Sequence, residues 1–207
     1  EIVDGLLEFI SSYGEWINNL NTENNDIAEK NKQLCQNDYE RIKRNIEDFL
    51  SDSEKMRSFR LMNAAMFMQL WHNTLDNKAQ IVQDQKKLTF DYYKNHADDT
   101  TIFKNTHAAW RPFQLAFILL NLDGIFCRDT NKEWTERNEL VDLVWFPTGG
   151  GKTEAYLGII ALTIINRKKK HRELGAGIAA IMRYTLRLLT TQQFQRALRL
   201  ILALEQI

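Results

Sequence analysis

The stretch Pro147-Thr-Gly-Gly-Gly-Lys-Thr153 constrains the fold more than any other part of the chain. Glycine is scarce, 9 of 207 residues, yet three stand together at 149–151. Before them runs LVDLVWF (140–146), a short, mostly apolar stretch of β-formers, the pattern of a buried parallel strand. After them the spacing predicts a helix from Lys152 to about Lys169. AGIAAIM (176–182) reads as a second buried strand. RLLTTQQFQRALRLILALEQ (187–206) reads as a long amphipathic helix, with Phe194, Ala197, Leu198 and Ile201 on its apolar face and Gln192, Gln195, Arg196 and Arg199 opposite. Strand, helix, strand and helix with short joins predict a right-handed parallel βαβα unit. The expected fold class is therefore α/β: a helical region over residues 1–105, then the first part of a parallel α/β domain over 106–207, with helix dominant overall.

A glycine loop between a strand's end and a helix's start has a chemical use. The first N–H groups of the helix lack partners and, with the helix dipole, favour an anion. Gly149, Gly150 and Gly151 supply backbone conformations that a Cβ forbids. Lys152 adds a full positive charge beside the β- and γ-phosphates, and the Thr153 hydroxyl stands where it can ligate Mg²⁺. Glu154, in the first helical turn, suits the dipole. The full phosphate-loop pattern G-x-x-x-x-G-K-[ST] asks for glycine at position 146, where this chain has Phe146. Only the second half of the pattern is kept.

Two other stretches belong beside the loop. In WRPFQ (110–114), Pro112 suits the first turn of a helix over 108–122. Gln114 can meet an adenine edge with both donor and acceptor, Arg111 can assist, and Phe113 can pack on the base. The same residues also suit a plain helix start. In MRYTLRLLTTQQ (182–193), Arg183, Tyr184, Thr185, Arg187, Thr190 and Gln193 offer the charges, hydroxyls and amides that grip a sugar–phosphate backbone. A polar helix start with threonine caps explains them equally well.

Upstream, DYERIKRNIEDFL places Ile42, Ile46, Phe49 and Leu50 on one stripe, and MRSFRLMNAAMFMQLWHNTL does so with Met56, Phe59, Asn63, Met66, Phe67, Leu70 and Trp71. Both read as core helices. Charge is unevenly spread although the net is zero: residues 1–60 hold thirteen acidic and eight basic side chains, and residues 154–207 hold three and nine. Such a split points to a polyanion partner for the C-terminal part, or to a solvated face at RKKKHR (167–172). The two cysteines, Cys35 and Cys127, lie too far apart for a zinc spacing or a disulfide framework, which makes a cytoplasmic location the expectation. The longest apolar runs, Leu115–Leu120 and Leu157–Ile165, fall short of the roughly 20 residues that a bilayer requires. The start EIVDGLLEFI has no initiator Met and no basic leader, and reads as part of something longer.

WRPFQ, PTGGGKT and RYTLRLLTTQQFQRA together resemble the adenine-reading glutamine motif, motif I and motif Ia of the superfamily 2 helicases, the RecA-like P-loop NTPases that move along nucleic acid. FRLMNAAMFMQ, WRPFQLAFILLNL, DLVWFPTGGGKTEAYLG and MRYTLRLLTTQQFQRA resemble more narrowly the large helicases of bacterial antiphage defence of the DISARM type. The resemblance covers roughly residues 56–207. It implies ATP and Mg²⁺ as cofactors, Gln114 at adenine, Thr148 to Thr153 at the phosphates with Lys152 and Thr153 catalytic, and Arg183 to Thr190 near a single DNA strand. It implies as partners the remaining motor lobes of the same protein and other defence-system subunits.

The expected function is the ATP-binding portion of an ATP-dependent DNA helicase or translocase. No acidic pair of the motor type follows the second strand, so the fragment itself is expected to bind nucleotide without hydrolysing it. A different class of function also fits: a nucleotide-binding scaffold or switch, docking partners through its acidic helical half. A third is a motor tied to a nuclease or restriction module.

Overall fold

The computed structural model describes residues 2–23, 25–75, 81–84, 87–90, 109–126, 141–147, 149–183 and 187–207. Three long helices come first: α1 (Ile2–Asn18), α2 (Asp26–Ser51) and α3 (Ser53–Leu75). A short antiparallel hairpin follows, β1 (Ile81–Asp84) on β2 (Lys87–Phe90), with Ile81 opposite Phe90 and Asp84 opposite Lys87. Then come α4 (Pro112–Leu120), α5 (Leu122–Phe126), α6 (Lys152–His171) with a 3-10 turn at Arg172–Gly175, and α7 (Arg187–Leu204).

Local chemistry sets the ends of these helices. Asn25 begins α2: its side-chain oxygen accepts from the N–H groups of Ile27 and Ala28, at 3.1 and 3.0 Å. Asp52 serves two helices at once. Its N–H donates to the Phe49 carbonyl and closes α2, while its carboxylate accepts from the N–H groups of Glu54 and Lys55 and opens α3. Pro112 occupies the first turn of α4, as expected, and Arg111 is the residue before it.

α3 is the central beam. It packs on α6, α7 and α2, while α2 also receives α1 and α4. The α2 stripe read from sequence is a buried one, with Ile42, Ile46 and Phe49 meeting Phe59, Met62 and Met66 of α3 in one core with Leu157 and Leu162 of α6. In α3 the buried line runs through Phe59, Met62 and Met66, while Leu70 of the expected stripe is exposed. Polar side chains of α2 close the C-terminal end of α4. Asn45 donates to the Leu119 carbonyl at 2.8 Å, and Arg41 donates to the Leu120 carbonyl at 2.6 Å and to the Asp123 carboxylate at 3.0 Å. Carbonyls at a helix end lack the full set of intrahelical donors, and these side chains supply donors to them.

The α/β expectation is overturned. Among the described residues there is no parallel sheet, and the architecture is helix packed on helix. Residues 141–147 and 176–183 lie outside any strand ladder. The physical reason is that an apolar, β-branched run marks a strand only where a neighbouring backbone supplies its hydrogen bonds. Here Val141, Leu143 and Trp145 point away from the core, 93%, 80% and 90% exposed, as do Ile178 and Ile181. The hairpin in turn interrupts a region expected to be helical throughout.

The face of α7 is also turned from the expected one. Leu200 and Ala203 are its fully buried positions, with Gln193 and Arg196 on the same side, whereas Phe194 is 66% exposed and Leu198 and Ile201 are exposed with it. Positions 193, 196, 200 and 203 follow one helical stripe.

Candidate anion site at the glycine loop

The loop enters α6 as the sequence requires. Gly149 and Gly151 have left-handed backbone, φ 81° and 90°, where a side chain is strained. The Gly150 N–H donates to the Pro147 carbonyl at 3.1 Å and tightens the turn. Gly151 is the residue before α6 and has no side chain to cap it. The first N–H groups of a 20-residue helix therefore face the loop without intrahelical acceptors.

Phe146, the residue that departs from the phosphate-loop pattern, has a structural role. Its ring stacks on Phe113, centroids 3.9 Å apart and 11° from parallel. A Cβ at Gly150 would lie 2.5 Å from the Phe146 ring. Phe113 thus supports the loop through Phe146, whereas the sequence reading placed it on a base.

The residues around WRPFQ hold the loop from the other side. Gln114 is buried at 4% exposure. Its oxygen accepts from the Arg111 N–H at 2.8 Å, and its amide nitrogen donates to the Gly151 carbonyl at 2.7 Å. Arg111 donates through Nη1 to the Gly150 carbonyl at 2.8 Å. Drawing these carbonyls toward α4 turns the opposite side of the same peptides, their N–H groups, away from it. Trp110 donates from its indole to Asn63 of α3 at 2.7 Å, which fixes the segment before α4.

Two cavities flank the loop. The smaller, about 620 Å³, is lined by Trp110, Arg111, Gln114, Gly149, Gly151 and Glu154 together with Asn63, Met66 and Leu70 of α3. The larger, about 860 Å³, lies between α4, α5, α6 and the extended segments, and holds Lys152, Tyr156, Asp142 and Arg183. Lys152 turns its ammonium back on the loop, donating to the carbonyl of Phe146 and to that of Pro147 at 3.1 Å. Thr153 is half-buried in the first turn of α6.

Arg111, Gln114, Gly149, Gly150, Gly151 and Glu154 thus lie around one loop, with Lys152 directed to its far side. The strand-gripping set is not brought together in the same way. Arg183 is exposed at the larger cavity, and Gln193 is half-buried on the packed side of α7. Arg187 and Thr190 lie in the first turns of α7. Thr148, Tyr184 and Thr185 lie outside the described residues.

One residue that sequence reasoning placed on the solvent face belongs to the site. Arg196 of α7 reaches Glu154 in the first turn of α6 and forms an ion pair. Burial, and then the charge of Arg199, hold the Arg196 guanidinium below its ordinary pKa. The signal for this placement was the stripe Gln193, Arg196, Leu200, Ala203, which competes with the more apolar stripe through Phe194.

Among the described residues no cluster of three or more His, Cys, Asp or Glu could hold a metal ion, and no helix is long and apolar enough to cross a membrane. No protein-family model matches the chain. Over 213 aligned residues, 99% of this chain, it is 37% identical to the DISARM protein DrmA of Bacillus paralicheniformis. The chain spans 17% of the length of that protein, and its similarity to a DISARM protein runs from one end of the chain to the other.

Proposed function

We propose that the loop at 149–151 and the start of α6 receive the phosphates of ATP, and that the chain is the ATP-binding portion of a nucleic-acid motor acting in DISARM-type antiphage defence. The observation that carries the reading is the pair of left-handed glycines leading into an uncapped α6. A Cβ at Gly151 would stand 2.8 Å from the Gln114 amide, so the cradle is open only because glycine is there. Backbone N–H groups so arranged are suited to a polyphosphate.

In this reading Lys152 exchanges the carbonyls of Phe146 and Pro147 for the β- and γ-phosphates. Thr153 would hold Mg²⁺ through its hydroxyl, together with phosphate oxygens and water. The smaller cavity receives the nucleoside against Trp110 and Arg111, with Glu154 at its edge. Gln114 acts first on the loop, through Gly151, and only its remaining donor and acceptor capacity is left for a base. Bound Mg²⁺ would neutralise phosphate charge. The defence role rests on the 37% identity to the DISARM protein DrmA. DNA is the proposed track, with Arg183 and the start of α7 as its contacts.

Titrating the chain with a fluorescent ATP analogue and Mg²⁺ tests the first part. Lys152→Ala should weaken binding at least tenfold, since it removes a charge-assisted contact. Equal binding by that variant removes the reading. In a longer protein carrying this segment, the same substitution should abolish ATP turnover and leave DNA binding in place. Turnover indifferent to added DNA would favour a nucleotide-dependent scaffold that assembles defence partners.

A further inference from the structure

We propose that Arg196 is a positioning residue for the phosphate-cupping loop: by pairing with Glu154 it ties α7 to the first turn of α6 and offsets a negative charge beside the phosphates' path. The proposal deepens the nucleotide reading above and rests on it.

The geometry sets up the need. Glu154 lines the smaller cavity and stands in the first turn of α6, where its carboxylate competes for the same positive end of the helix that an anion would use. Its Oε2 lies 3.4 Å from the place of a Cβ on Gly151, so the carboxylate sits directly against the loop. That oxygen is buried and has no hydrogen-bond partner. The other oxygen is held by Arg196. The side chains of Arg196 and Glu154 are only 27% and 29% exposed, so water screens the pair poorly. Without the guanidinium, an unpaired carboxylate would face incoming phosphates at close range.

The connection also gives α7 a hold on the loop. α7 begins at Arg187, four residues after Arg183 in the sequence, and Gln193 stands one turn before Arg196 on the same packed side. A shift or rotation of α7 moves Arg196 away from Glu154 and alters the charge at the loop. The pair is therefore the physical element through which a ligand on α7 and a nucleotide on α6 would influence each other, in both directions.

The test is a double-variant cycle on the 207-residue chain, read by Mg²⁺–ATP affinity. Arg196→Gln should weaken binding on the order of tenfold. Arg196→Lys, which keeps the charge, should recover most of that loss. The double variant Arg196→Gln/Glu154→Gln should bind more tightly than the product of the two single losses, because the harmful charge is gone. Wild-type affinity in Arg196→Gln, or strictly multiplicative losses, would overturn the proposal.

Amide hydrogen exchange over residues 149–156 without nucleotide separates this proposal from the nucleotide reading itself. If the wild type binds no Mg²⁺–ATP, that reading fails and exchange alone decides. Faster exchange there in Arg196→Gln but not in Arg196→Lys keeps the tie between α7 and the loop. Unchanged exchange in both variants removes it.

Discussion

The ring of Phe146 lies flat on that of Phe113 and at the same time covers Gly150, so a residue of α4 supports the glycine loop through a residue that departs from the phosphate-loop pattern. Position 150 is consequently restricted by its neighbour and not by its own backbone, since its φ is not left-handed. Gly150→Ala should cost about 1–3 kcal/mol in urea unfolding, the usual penalty of an overpacked contact. In a Phe146→Ala background most of that cost should vanish, although the Pro147 carbonyl remains 3.0 Å from the new Cβ. Additive costs in the double variant would show that the ring does not restrict the loop.

Gly149 and Gly151 offer a contrast of a different kind. Both have left-handed φ, so alanine at either carries a backbone penalty of roughly 1 kcal/mol. The space around Gly149 is open, whereas a Cβ at Gly151 would press on the Gln114 amide. Gly151→Ala should therefore be the more destabilising, by about a further 1 kcal/mol, because it also displaces the hydrogen bond to the Gly151 carbonyl. Comparing the two variants by chemical denaturation checks the order.

The helices and the loop were legible because their signals are local. The stripe of α2, the first-turn Pro112 and the start of α6 at Lys152 follow from spacing within a few residues. Three glycines before a helical pattern dictate a turn whatever surrounds them. The stretches 141–146 and 176–182 carry an equally clear apolar signal, yet a ladder depends on which backbone lies beside them, and no periodicity encodes that. α7 has two apolar stripes, one through Phe194, Leu198 and Ile201 and one through Leu200 and Ala203. Tertiary packing on α3 and α6 selects the second and carries Arg196 inward with it.

Gln114 is the residue on which the loop's own geometry leans. Gln114→Ala leaves the Arg111 N–H without its acceptor and the Gly151 carbonyl without its donor. The expected cost is about 2–3 kcal/mol, the scale of two disrupted bonds in a buried place. Gln114→Glu keeps the acceptor and loses the donor, and it adds a carboxylate beside the loop. It should weaken Mg²⁺–ATP binding more than its effect on stability alone explains. A loss of affinity equal to that of Gln114→Ala would argue against a charge effect.

Asp52 supplies a prediction about acid. The N–H groups of Lys55 and Glu54, with the nearby Lys55 and Lys169 charges, hold its carboxyl below the ordinary 3.8, against a smaller cost of burial. A carboxyl with a depressed folded-state pKa binds its proton more weakly when folded. Its stabilising effect is thus fully present above about pH 4 and is lost as pH falls through the folded value. Asp52→Asn keeps a capping oxygen and should lose little at pH 7, while unfolding with a shallower dependence on pH below 4. Asp52→Ala should cost about 0.5–2 kcal/mol at pH 7, because α3 loses its cap.

Asp38 titrates in the opposite sense. Burial raises its carboxyl pKa, Arg41 lowers it, and the charge of Asp142 raises it again, with burial the largest effect. A raised folded-state value means that the proton is held more tightly in the fold. This contribution favours folding below the unfolded value of 3.8 and is lost as pH rises through the folded one. Asp38→Asn should therefore stabilise the chain slightly at neutral pH, since water screens much of the effect, and steepen the loss of stability toward acid by removing a term of opposite slope. Arg41→Ala should do the reverse and more strongly. It removes one ion-pair partner of Asp123 and of Asp142 and the donor to the Leu120 carbonyl, and it takes away the positive charge that lowers the Asp38 pKa while the charge of Asp142 stays. In the Arg41→Ala background, Asp38→Asn should stabilise by more than it does in the wild type. Equal gains in both backgrounds, measured by urea unfolding at pH 7, would show that Arg41 does not compensate Asp38.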